Sequence, residues 1–374
     1  MTKDNTENLL CECCGNATAP EIAAKRGYAL RKCLNCGLFF VWPQPSREEL
    51  GFLYSRSQGY FGTAATDLAK TSGESALSLH KLLAERRLGK GMLLDIGCAT
   101  GELIFHMKKL GYTVAGCDVS AEAVRIAIDN GLDAKVGDIE TLQYQAESFD
   151  IINMGDVLEH VSSPHDTLRT AFSLLKPGGA IVIATPNSNS SFALSTLLLS
   201  RTTGFPWAHS EAPYHLFEFA PKSILELLVK AGFSASEVMT SGNASLMYTV
   251  GATGYFDDLK RELKSSGRYK IRISVIPYIA KLFAIAGLLL PFYIFSRIAN
   301  SMRNSGQVIT AIARRIESND LQSFRQSQSA TNMRISDMNL STENILARCA
   351  RSACSARCRS GLSNNATIFA TASS

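Results

Sequence analysis

The nine residues Leu93-Leu-Asp-Ile-Gly-Cys-Ala-Thr-Gly101 constrain this chain more than any other stretch. An apolar run of strand length ends on an acid, Asp95, and passes through a loop bearing two glycines into the amphipathic segment Glu102–Leu110. Only a strand, a tight loop and a helix in immediate succession satisfy that order.

The same unit then repeats. Short apolar runs at Met92–Ile96, Thr113–Cys117, Phe149–Met154 and Ala180–Ala184 read as buried strands, with a shorter one at Ala134–Val136. Between them, Glu102–Leu110, Ala121–Asn130 and Pro164–Leu175 read as helices, and Lys176-Pro-Gly-Gly reads as a stop signal. Strands alternating with helices at this spacing predict an α/β fold, a Rossmann-like, doubly wound and mostly parallel sheet. Ligands of such sheets sit beyond the carboxyl ends of the strands.

The loop is not a dinucleotide loop. A G-x-G-x-x-G loop lets backbone approach a pyrophosphate, whereas here only Gly97 and Gly101 are present and an acid ends the strand. That combination favours a ligand with a cationic group near Asp95 and disfavours a nicotinamide dehydrogenase. Asp118 ends the second strand, placed to accept from two ribose hydroxyls. Asp138 follows the third, placed to accept from an exocyclic amine, although a strand-end acid also serves as a simple cap.

The cysteines form a second pattern. Cys11-Glu-Cys-Cys14-Gly and Cys33-Leu-Asn-Cys36-Gly are two C-x-x-C-G units separated by 18 residues, the spacing of a four-thiolate zinc site. Glycine after each pair lets the backbone turn so that both sulfurs face one metal. Cys13 is then the spare thiol. Four thiolates leave no open position, so the Zn(2+) would be structural. The opening MTKDNTENLL has no apolar run of signal-peptide type, so a cytoplasmic setting with reduced thiols is expected. The 38 basic residues exceed the 33 acidic ones by only 5 in 374, which disfavours wholesale nucleic-acid binding.

Taken together, these pieces resemble the class I S-adenosylmethionine-dependent methyltransferases, specifically those with an N-terminal zinc-ribbon-like extension. The resemblance rests on the paired C-x-x-C-G units, Gly37-Leu-Phe-Phe-Val-Trp-Pro, Tyr54 with Tyr60-Phe61, LLDIGCATG, GCDVS, GDIE, DVLEHVSSP, LKPGGAIVIATPN and HLFEFAPKSILELLVKAGF. It covers residues 11–240 and a last strand near Gly306–Arg314. It implies that Gly97, Cys98 and Gly101 shape the loop around the methionine part of S-adenosyl-L-methionine, with Asp95 holding that end. Asp118 would bind the ribose, Val119 would pack on the adenine, and Asp138 with the Ile139 backbone would read the adenine edge. Where many members have a glycine, this chain has Ala99.

Methyl transfer is an in-line displacement, so the protein mainly places the acceptor and excludes water. A base helps when the acceptor is a hydroxyl or an activated carbon. Two histidines are candidates: His215 in Tyr214-His-Leu-Phe, ranked first, and His160 in Leu158-Glu-His-Val, ranked second. The expected acceptor is a small molecule, a saccharide or a lipid-linked glycan; the competing reading is a non-catalytic protein with a degenerate cofactor-binding domain.

The expected organisation is a zinc module at 1–45, a linker and helical cap at 46–90, and a cofactor domain at 91–316 with an insertion at 242–305. A disordered tail at 317–374, poor in apolar periodicity, completes it. The insertion contains Lys260–Arg272, with six basic residues and one acid, followed by an apolar run to Phe295. Pro277, Lys281 and Pro291 interrupt that run, so a spanning helix is disfavoured. Peripheral contact of 260–295 with the inner face of an anionic membrane competes with a buried hairpin or dimer face. Oligomeric state is not legible.

Overall fold

In a computed structural model, the described residues are 9–25, 27–46, 48–50, 67–204, 207–233, 235–243, 276–303, 305–315 and 368–370. Tyr54, Tyr60, Phe61, the basic stretch 260–272 and nearly all of the expected tail lie outside them.

The main sheet begins in its own centre. Strands β4 (Met92–Ile96), β5 (Thr113–Asp118) and β6 (Ala134–Val136) run outward to one side. The chain then returns to place β7 (Phe149–Gly155) against the other side of β4, and β8 (Leu175–Pro186) beyond it. All four pairings among these strands are parallel. Beyond β8 lie β11 (Val308–Arg314), β10 (Ala235–Ser241) and β12 (Ile368–Ala370), each antiparallel to its neighbour. The order is therefore β12-β10-β11-β8-β7-β4-β5-β6. It is a Rossmann-like doubly wound sheet whose winding reverses between β4 and β7, and loops leaving those two strands diverge to open a crevice.

Both faces of the sheet are covered, which explains the unbroken apolar runs. Leu94, Ile96, Ile152, Met154 and Ile183 pack on one face with Leu168 and Leu227, from α4 (Pro164–Leu174) and α6 (Pro221–Lys230). Leu93, Ile151 and Val182 pack on the other with Leu83, Ile104 and Val124, from α1 (Glu74–Glu85), α2 (Glu102–Lys109) and α3 (Ala121–Asp129). Each fully buried Leu or Ile contributes roughly 1.5–3 kcal/mol. The predicted β4 and β6 coincide with the observed strands, and the helix ends at Leu174, just before Lys176-Pro-Gly-Gly, which itself lies in the opening residues of the long β8.

The N-terminal module is a hairpin of β1 (Thr18–Lys25) and β2 (Tyr28–Cys33) extended by β3 (Phe39–Val41). Its fourth strand comes from far along the chain. β9 (Phe217–Glu218) pairs antiparallel with β3, setting Phe39 opposite Glu218 and Phe40 opposite Phe217. Phe39 packs on Trp207 with centroids 4.7 Å apart, and Lys222 and Lys230 donate to Asn35 and to the Glu12 carbonyl.

In the insertion, α7 (Ile276–Arg303) packs along α5 (Ser191–Thr203) through Leu289, Phe292 and Tyr293 against Phe192 and Leu199. Among the described residues no helix is long and apolar enough to cross a membrane.

Candidate cofactor and acceptor site

The glycine loop is shaped by left-handed backbone. Gly97 and Gly101 have φ of 73° and 83°, and an added Cβ would lie 2.3 Å from Val157 Cγ2 at the first and 2.6 Å from Leu132 Cδ1 at the second. Ala99 is also left-handed, at φ 48°, a conformation costing a non-glycine residue roughly 1–2 kcal/mol. That explains why a glycine is expected there. The cost is offset by a hydrogen bond from the Ala99 N–H to Asp118 Oδ2, 2.9 Å long.

Asp118 thereby serves two elements. Its Oδ1 accepts from Ser120 N–H at 2.8 Å, and the Ser120 hydroxyl in turn caps α3 by accepting from Ala123 N–H. A carboxylate has about four acceptor sites, so two remain after these contacts. Val119, next along, is 75% exposed, an unusual state for a valine beside a buried strand end. Asp138 accepts from the Thr141 N–H and hydroxyl at 2.9 and 2.5 Å, the capping role weighed for it, and Ile139 beside it is buried. Cys98 is buried under the loop, its sulfur 2.7 Å from where a side chain on Gly116 would begin.

Asp95, next to last in β4, lies opposite Asn153 of β7, and Asn153 Nδ2 donates to Asp95 Oδ1 at 2.7 Å. Asn153 was not singled out from the sequence; only the β4–β7 register brings it there. Burial pushes the Asp95 carboxyl up to about 7, the Asn153 bond opposes this, and Asp118 reinforces it. A buried carboxyl in that state is one that a cationic ligand would ionise.

Past the end of β7 lies a second polar cluster. His160 and His215 meet edge to face, with centroids 4.8 Å apart. His160 Nδ1 is 2.9 Å from the Tyr214 carbonyl, which fixes Nδ1 as the protonated nitrogen. Burial and the neighbouring His215 charge depress its pKa to about 4. His215 is the opposite case. Burial alone would lower it, but Glu218, Glu159 and Glu211 together raise it to about 9.

Glu218 Oε2 is 3.6 Å from His215 Nδ1 and 3.6 Å from His209 Nε2, and Glu211 Oε2 is 3.8 Å from His215 Nε2. Although Glu218 is buried, the His215 charge holds its carboxyl down at about 2. Burial pushes Glu159 up to about 7, and it accepts from the Thr185 hydroxyl at 3.0 Å. Sequence reading named the two histidines and missed Glu218, Glu211 and His209. The available signal was their clustering with His215 within the ten residues 209–218, outside any predicted strand.

The four predicted metal ligands converge. The sulfurs of Cys11, Cys14, Cys33 and Cys36 all lie within 4.8 Å of one another, with Cys11–Cys36 and Cys14–Cys33 each 3.5 Å apart. A tetrahedral zinc with bonds of about 2.3 Å needs sulfurs about 3.8 Å apart, so this donor set fits the ion. Gly15 and Gly37 adopt φ of 70° and 80°, as the matching turns require. Cys13 is buried nearby, outside the four.

Residues 69–238 match the model of a methyltransferase domain family. Among curated proteins, the ubiquinone biosynthesis O-methyltransferase of Ruegeria pomeroyi is 34% identical over 163 residues, 40% of this chain and 65% of that one. The enzyme of the same name from Albidiferax ferrireducens is 34% identical over 112 residues, 28% of this chain and 44% of that one. The chain thus spans less than two thirds of either relative. Among solved structures, a SAM-dependent methyltransferase of Thermotoga maritima, described as a possible histamine N-methyltransferase, aligns at 17% identity and a TM-score of 0.40. That alignment covers 72% of this chain and 97% of that one.

Proposed function

We propose that the chain is an S-adenosylmethionine-dependent methyltransferase acting on an oxygen of a small molecule. One observation carries the reading. A glycine loop held by Asp118 adjoins a buried, cation-seeking Asp95, at the crevice where the winding of a methyltransferase-type sheet reverses. When bound, the cofactor supplies an electrophilic methyl group on a sulfonium. Asp95 would hold its ammonium end and Asp118 its ribose, with Val119 and the Asp138–Ile139 turn at the adenine. The O-methyltransferase names of the two relatives support oxygen as the acceptor atom. A saccharide or lipid-linked glycan belongs to the same class of acceptors.

The two histidines take different parts. His160 is neutral near pH 7 with its proton on Nδ1, so its Nε2 is chemically able to take a hydroxyl proton. His215, ranked first as the base from sequence, is held cationic to about pH 9. It therefore suits orienting an acceptor and steadying negative charge on its oxygen as the proton leaves. Zinc at Cys11, Cys14, Cys33 and Cys36 would be structural, since four thiolates leave no position for substrate.

Calorimetry with S-adenosylhomocysteine is the test, followed by incubation with labelled cofactor and panels of phenolic and saccharide acceptors. Heat of binding and a labelled methyl ether are expected. Absence of heat from the intact protein would sink the reading.

A further inference from the structure

The helices α5 and α7 share an outward face that nothing among the described residues covers. Leu194 and Leu198 of α5 and Leu288, Ile294, Phe295 and Ile298 of α7 are each at least 41% exposed, Leu198 reaching 64%. The seam between the helices is already satisfied by Phe192, Leu289, Phe292 and Tyr293, so these six are surplus to the packing. So many large apolar side chains on two adjoining helices mark a docking surface.

Charge identifies the occupant. Ser191–Thr203 and Ile276–Arg303 contain no acidic residue, while Arg201, Lys281, Arg297 and Arg303 are basic. In the sequence directly before α7, Lys260–Arg272 adds six basic residues against one acid. A second copy of the chain would bring the same excess of cations, Arg201 and Arg297 of these helices among them, and that repulsion argues against self-association. An anionic bilayer offers the complement, with apolar side chains seated at the acyl boundary and arginines at the headgroups. Arg297 is already drawn back along its own helix, its Nη1 2.9 Å from the Tyr293 hydroxyl. That is the posture of a long cation whose stem lies on an apolar surface.

The face is also on the side where chemistry would occur. Four residues separate the carboxyl end of β8 from helix α5, and the loop after it carries Trp207, His209 and His215. Trp207 Nε1 donates to the Ala193 carbonyl at 2.8 Å, fastening that loop to α5.

We infer that the α5–α7 face docks on an anionic lipid surface, and that the acceptor is an amphipathic molecule taken from that surface. The second half of this statement rests on the methyltransferase reading; the docking half does not.

The test is cosedimentation of the full chain with vesicles of phosphatidylcholine alone and of an equal mixture with phosphatidylglycerol, at low and high salt. Binding to the mixed vesicles, weakened by salt and small on phosphatidylcholine alone, is expected. The double variant Leu198→Glu/Ile298→Glu should bind about tenfold less or weaker still, from the lost apolar burial. Its heat with S-adenosylhomocysteine should be unchanged, which reports that it is folded and tests the cofactor reading separately. Three results would overturn the docking: no binding to mixed vesicles, equal binding to both compositions, or a dimer in sedimentation equilibrium that the double variant dissociates. If the variant fails to fold, the salt and lipid dependence of the unaltered chain still decides. Should docking hold while lipid extracts yield no labelled product, the amphipathic acceptor is wrong and the surface stands.

Discussion

Glu218 and His215 form a buried ion pair, carboxylate oxygen to Nδ1 at 3.6 Å, and the glutamate sits on the same two-residue strand that completes the N-terminal module's sheet. The charge of His215 therefore depends on a strand that a separate part of the chain holds in place. Glu218→Gln keeps the shape and removes the charge. With it gone, burial lowers the His215 pKa below about 9. The alkaline limit of kcat should move to lower pH, while affinity for S-adenosylhomocysteine changes by less than about twofold. A pH profile and calorimetry check this; an unmoved limb would mean that Glu218 only fills space.

The same pair shapes stability. His215 is raised in the folded state, so its contribution is complete below the unfolded value of 6.5 and is lost as pH rises through about 9. Glu218 is depressed, so its contribution is present above 4.5 and lost as pH falls through about 2. His160 is depressed, which costs stability as pH falls from 6.5 toward about 4. Asp95 and Glu159, both raised to about 7, stabilise only while protonated, so the melting temperature of the cofactor-free protein should be highest below pH 6.5 and fall steadily from there toward 9. Thermal scans across pH measure it.

Cofactor binding should release a proton. Asp95 is half protonated at about 7 in the cofactor-free chain, and a cationic group beside it favours the ionised form. Calorimetry of S-adenosylmethionine in buffers of different ionisation enthalpy should report close to one proton released near pH 6 and almost none near pH 8. Asp95→Asn should abolish the difference between buffers.

Metal loss should reach the acceptor site. Cys33→Ser or chelation is expected to drop the zinc content from about one per chain and loosen the turn from Cys33 to Leu38 that leads into β3. Because β3 holds β9, the pH profile should shift in the same direction as for Glu218→Gln, with the heat of S-adenosylhomocysteine binding retained.

Gly101→Ala places a Cβ against Leu132 and Ala127 on left-handed backbone. A loss of roughly 1–3 kcal/mol in unfolding free energy is expected, together with weaker cofactor binding. Denaturant titration and calorimetry measure the two effects.

Much of this was legible in the order of residues. The strand at Met92–Ile96, its acid and its glycine loop are local features, and each apolar run of the parallel sheet is short and bounded. The convergence of Cys11, Cys14, Cys33 and Cys36 was legible because C-x-x-C-G encodes its own turn. What the sequence concealed was held by register and by distance along the chain. Asn153 meets Asp95 only because β7 pairs with β4 in one particular register. Glu218 meets Phe39 only because two residues of a late loop join an early sheet, and so short a strand leaves no periodicity to read. The charge states of the two histidines came from burial and from acids on two separate stretches, Glu159 and residues 211–218, which spacing alone does not reveal.

The shared strand β9 also changes where this chain can be divided. A boundary near residue 45 looks natural in the sequence, yet a cut there would strip the edge from Phe217 and Glu218 and expose the buried Leu216 and Phe219 behind them. The cysteine module is thus less an appendage than a support for the strand that carries Glu218, and the two parts can exchange residues over evolution only in step.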